Sequence, residues 1–108
     1  MLPALDRLPY HTLVVRHPEP GSTWQLLDGA YNADDVRDRV MRLYQAEEGR
    51  ALNSQELEAL QIWTAALPVE QTFRFRDATH GWCRGRIIQT ADNPAAIAAR
   101  VGELNDER

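Results

Sequence analysis

FRFRDATHGWCRGR, residues 73–86, alternates aromatic side chains with arginines on either side of a short polar turn. Successive side chains of a strand point to opposite faces, so Phe73 and Phe75 share one face while Thr72, Arg74 and Arg76 share the other. On the returning segment Cys83, Gly85 and Ile87 form one set, and Trp82, Arg84, Arg86 and Ile88 the second. The stretch therefore reads as a β-hairpin around DATHG, with Gly81 able to take the positive φ such a turn needs. With Phe73, Phe75 and Ile87 turned toward helices, the four arginines and Trp82 occupy an open face.

The flanking sequence supplies those helices. Asn93 and Pro94 make an N-cap and first-turn proline for a helix through PAAIAARVGEL, with Ile97, Val101 and Leu104 one turn apart. Upstream, Asn53 and Glu56 have capping-box spacing and open a helix that ends before Pro68. Thr64 within it is placed to bond back to the carbonyl of Leu60. Asn32 caps an earlier helix, with Asp34 and Asp35 favoured by the helix dipole, an apolar stripe of Val36, Val40, Leu43 and Tyr44, and Gly49 as the stop. Two extended runs precede it, YHTLVVRH at 10–17 and TWQLLD at 23–28, joined by the breaker HPEPGS.

The order is ββααββα, an α+β domain with one four-stranded antiparallel sheet and its helices packed on one face. Residues 1–108 form a single domain, with fraying expected at about 1–7 and 105–108. The two halves carry a weak internal likeness: Thr12, Arg16, Gly21, Trp24, Asn32, Arg39 and Val40 align with gaps to Thr72, Arg76, Gly81, Trp82, Asn93, Arg100 and Val101. A duplication of hairpin-plus-helix units would account for it.

The chain carries 12 basic and 16 acidic residues for a net charge of −4, and all the basic residues are arginine. That sign argues against a general affinity for nucleic acid or anionic membrane, both of which need a positive field. No apolar run approaches the length of a membrane span. The opening MLPALDRLPYH lacks the continuous apolar core of a secretory signal, and the one cysteine permits no internal disulfide, so a cytoplasmic protein is expected.

Within this acidic chain, residues 73–86 hold four arginines against one aspartate, a local +3 that leaves −7 on the remainder. Arginine binds carboxylates and phosphates bidentately, and tryptophan fills pockets or stacks, so Arg74, Arg76, Trp82, Arg84 and Arg86 are the candidate partner-binding residues. Trp24 is a candidate extension. The competing explanation is a solvated sheet face whose charges are offset by Glu70, Asp77 or Asp28. A protein partner ranks above nucleic acid, because Asp34, Asp35, Asp38, Glu47 and Glu48 would repel phosphates if they flank the sheet.

His80 and Cys83 have ligand-like spacing, which raises a zinc site or a nucleophile with its base. A second close pair of ligands is missing, and three residues around a turn fix no mutual geometry. No catalytic residue, metal or cofactor is therefore assigned. The expected function is that of a small non-enzymatic binding or regulatory protein.

Overall fold

The computed structural model describes residues 10–77, 79 and 81–107, the Glu47 side chain excepted. Strands β1 (Tyr10–Arg16) and β2 (Gln25–Ala30) lead into helices α1 (Ala33–Glu48) and α2 (Ser54–Ala65); β3 (Thr72–Asp77), β4 (Gly81–Thr90) and α3 (Pro94–Asp106) complete the chain. The strands form one antiparallel sheet in the order β2-β1-β4-β3. Element order and sheet are those the sequence predicts. The second strand begins two residues later than expected, and Trp24 lies just outside it.

The helix starts follow the sequence signals. Asn32 accepts the Asp34 N–H, Asn53 and Glu56 complete a reciprocal capping box, and Asn93 accepts the Ala96 N–H. These side chains satisfy amide donors that have no partner in a helix's first turn. Thr64 donates to the Leu60 carbonyl at 3.0 Å, so its hydroxyl can be buried without loss.

The helices divide between the two sheet faces, where the sequence reading placed them all on one. Leu13, Val15, Phe73, Phe75, Cys83 and Ile87 pack with Val36 and Val40 of α1 and with Leu67. The alternate residues Val14 and Ile88 pack on the other face with Leu104 of α3 and with Trp24. The reason lies in the central strands. Leu13, Val14, Ile87 and Ile88 are all fully buried, so each strand is apolar on both sides where the helices cross it. Gly85 belongs to the same logic, since a Cβ there would stand 2.6 Å from the Phe73 ring that lies across it.

Two polar fastenings hold the layers. Asn105 accepts the Trp24 N–H at 2.6 Å and donates to the Trp24 carbonyl at 3.3 Å, which locks the end of α3 to the chain entering β2. The helix runs through Asp106; of the termini expected to fray, residues 1–7 and 108 are outside the described set. Glu70 is the second fastening. Its φ of +64° is unfavourable for a side chain with a Cβ, at a cost of about 1–2 kcal/mol. Four bonds offset it: N–H to the Ile87 carbonyl at 2.7 Å, carbonyl from Arg86 at 2.9 Å, carboxylate from the Gln89 N–H at 3.1 Å and from Arg100 at 2.5 Å.

The internal likeness does not extend to the topology. Gly21 and Gly81 both adopt positive φ and Asn32 and Asn93 both cap helices. Yet α1 follows the edge strand β2 while α3 follows the central strand β4, and the two helices lie on opposite faces. The shared residues therefore mark similar local turns and caps in halves that are not superposable units.

Asn105→Ala leaves the Trp24 amide and carbonyl without these partners and is expected to cost about 1–2 kcal/mol, read as a melting temperature lower by roughly 5–10 °C. Glu56 gives a pH-dependent counterpart. Its carboxyl is held down at about 2, first by Arg50 and then by the Asn53 amide. Because the folded pKa lies below the ordinary 4.5, the stabilisation is complete above that value and disappears as pH falls toward about 2. In chemical denaturation, wild type and Glu56→Ala should differ at neutral pH and converge across that window.

Candidate functional site

The strand register brings together more arginine than the hairpin alone contains. Arg84 lies opposite Arg74 on one side and Arg16 on the other, a row of three guanidinium side chains across β1, β4 and β3. Trp82 pairs with Arg76. These residues share the face that α3 covers at its other end, around Val14 and Ile88. One half of this face is thus apolar and roofed by a helix, and the other half is cationic and open.

Trp82 is 49% exposed, a large value for a tryptophan with no binding role in packing. The guanidinium carbons of Arg74 and Arg76 lie 5.2 and 5.6 Å from its ring centroid. A cation over an exposed indole contributes about 0.5–1 kcal/mol, enough to orient the two side chains, of which Arg74 is exposed and Arg76 half-buried.

Among the described residues, no carboxylate forms an ion pair with Arg74 or Arg84. The acids proposed from sequence to offset them are engaged elsewhere, Glu70 with Arg100 at 2.5 Å and Asp28 with Arg39 at 3.6 Å. Asp77 has an interaction of its own. Like charges directly opposed across strands cost up to about 1 kcal/mol per pair. An anion placed over the row would relieve that cost and gain charge-assisted hydrogen bonds.

Two of the sequence assignments change place. Arg86 is half-buried, as Arg16 and Arg76 are, but it donates to the Glu70 carbonyl and so is tied into the fold. Trp24 is buried in the core under α3 and does not extend the surface. Arg16 is the residue that sequence reasoning missed. The alternation of YHTLVVRH already placed it on a face with Thr12 and Val14, but its neighbour Arg84 is sixty-eight positions away and only the β1–β4 register joins them. Its Nε donates to the Ser22 carbonyl at 3.1 Å, which fixes it at the rim of a cavity of about 460 Å³ shared with Arg74, Trp82 and Arg84.

Cys83 faces the core from the floor of this region. The imidazole beside it is His17, with Nδ1 3.6 Å from Sγ; His80, its proposed partner from sequence, lies outside the described residues. Burial, with the negative charges of Asp77 and Glu19, pushes the Cys83 thiol up to about 11. A neutral buried thiol is a poor nucleophile and a poor metal ligand. Among the described residues no three His, Cys, Asp or Glu side chains gather into a metal-binding group, and no helix is long and apolar enough to cross a membrane.

The thiol's state is directly measurable. With its pKa raised from the ordinary 9.0 to about 11, Cys83 should react with a disulfide reagent at least roughly tenfold more slowly than a model thiol near pH 8, and its rate should still be climbing at pH 10. A rate that levels off below pH 8 would reveal an activated thiolate instead.

No protein-family model, characterised protein sequence or solved structure matches the chain, so its function has to be argued from this arginine face.

Proposed function

We propose that the chain is a small cytoplasmic binding or regulatory protein, without catalytic activity, that engages an acidic protein partner through the open half of its sheet. Trp82 is the central contact, Arg74, Arg76 and Arg84 surround it, and Arg16 extends the cationic row. The observation that carries this reading is the cross-strand alignment of Arg16, Arg84 and Arg74, with Arg74 and Arg84 unpaired by any described carboxylate. Arginine and tryptophan are also the residue types that dominate interface energetics, and both are held here in place by stacking before a partner arrives.

A protein partner is favoured over nucleic acid by the net charge of −4 and by the small extent of the patch. The acidic residues of α1 contribute less to this preference than the sequence suggested. α1 packs on the opposite face, where Asp34 and Asp38 already pair with Arg37 and Arg42 at 2.8 and 2.5 Å.

The test is the double variant Arg74→Glu, Arg84→Glu. Both positions are exposed, and the change replaces a repulsive pair by another of the same kind, so the far-ultraviolet spectrum should be preserved and stability should move by no more than about 1 kcal/mol. A partner captured from the source cell by wild-type protein, and resistant to nuclease, should be lost. Capture of the same partner in the same yield by the folded variant would remove the arginine face from the binding surface. A nucleic-acid partner would show itself by nuclease sensitivity and by affinity falling about 0.9 log unit per log unit of salt for each duplex phosphate contacted.

A further inference from the structure

Arg74 and Trp82 border not one cavity but two. The first, of about 460 Å³, is the arginine cavity reached by Arg16 and Arg84. The second, of about 440 Å³, lies on the other side of the same pair and is lined by Tyr44, Leu52, Ala59, Leu60 and Trp63. We infer that the Arg74–Trp82 ridge separates two adjoining subsites that together recognise a bipartite segment of the partner, acidic residues in the arginine cavity and an apolar side chain in the cavity against α2. This rests on the reading that the arginine face binds an acidic protein.

The two cavities differ in chemistry in a way that sets the direction of the segment. In the first, guanidinium groups outnumber the one lining acid, Glu19. In the second, the walls are aliphatic and aromatic, and the lining charges are Arg74 on the shared ridge and Glu48 and Glu56. Arg50 lies 2.5 Å from Glu56 and 3.8 Å from Glu48, so together with Arg74 it balances the two carboxylates and the second cavity has no positive excess to attract an acid. An acidic side chain is therefore favoured on the arginine side, and an apolar side chain gains most where Leu60 and Trp63 can cover it. An extended peptide advances about 3.3 Å per residue and projects side chains alternately, so a short segment crossing the ridge can serve both subsites. Trp63 is braced for this role by a tilted contact with Tyr44 and an edge contact with Phe73, at 5.9 and 6.5 Å between ring centroids.

The probes are short fluorescein-labelled peptides containing a Glu-Glu pair and one leucine, separated by a variable run of glycines, with matched peptides in which serine replaces leucine or glutamines replace the glutamates. Fluorescence anisotropy with the full chain should show one spacing at which the leucine peptide binds about tenfold more tightly than its serine counterpart, with the glutamine peptide weaker than both. Ala59→Gln places a polar side chain in the second cavity at an exposed helix position. It should abolish the leucine advantage and leave the serine peptide's affinity unchanged, whereas Arg84→Glu should weaken both. Equal binding of leucine and serine peptides at every spacing would overturn the two-subsite inference while leaving the acidic-partner reading in place. Failure of every glutamate peptide to bind, or its displacement by a mixed-sequence oligonucleotide, would overturn both.

Discussion

The pairing of β1 with β4 is the constraint from which the rest of the architecture follows. Seven consecutive residue pairs join these strands at the centre of the sheet, and Leu13, Val14, Ile87 and Ile88 leave no exposed surface. A buried side chain of this kind contributes about 1.5–3 kcal/mol relative to exposure, but only if something apolar covers it. Residues adjacent in a strand point opposite ways, so two consecutive buried residues on each strand demand cover on both faces. The helices α1 and α2 supply it on one side and α3 on the other, and the Asn105 and Glu70 fastenings hold α3 and the α2–β3 connection against this central pair.

The same constraint leaves an open surface behind. β4 changes character along its length, from Ile87 and Ile88 to Trp82, Arg84 and Arg86, and α3 covers only the apolar end. Beyond it the pleat continues, so the side chains that would meet a helix instead meet solvent. Arginine suits that position better than lysine because its planar head can lie over the indole of Trp82 while keeping its charge and donors available. The open cationic half of the face is thus a consequence of a helix shorter than the sheet it crosses, and its charge is a property of β4, β3 and β1 jointly.

Several elements were legible from local sequence because their causes are local. The N-caps Asn32, Asn53 and Asn93, the back-bonding Thr64 and the glycine turn at 81 each depend on residues within a few positions of one another. The alternation of residues 73–86 likewise put Phe73 and Phe75 in the core and Arg74, Arg84 and Trp82 on the outer face. The placement of α3 was less accessible, although a signal existed: Ile88 shares its face with the arginines, and a fully apolar residue in that set needs a cover. The runs LVV at 13–15 and II at 87–88 say the same thing, since strands with one wet face rarely carry adjacent aliphatics.

By itself, then, the amino-acid order determined the elements, their caps, the antiparallel hairpins and the inward or outward sense of the hairpin side chains other than Arg86, because backbone periodicity and capping act over one or two turns. Only the tertiary structure decided that the helices split between two faces, that Arg16 joins Arg84 and Arg74 in one row, that Arg86 turns inward to Glu70, and that Trp24 is core while Trp82 is surface. Those outcomes depend on which strands become neighbours and in what register, a choice made by the mutual burial of side chains far apart in the chain.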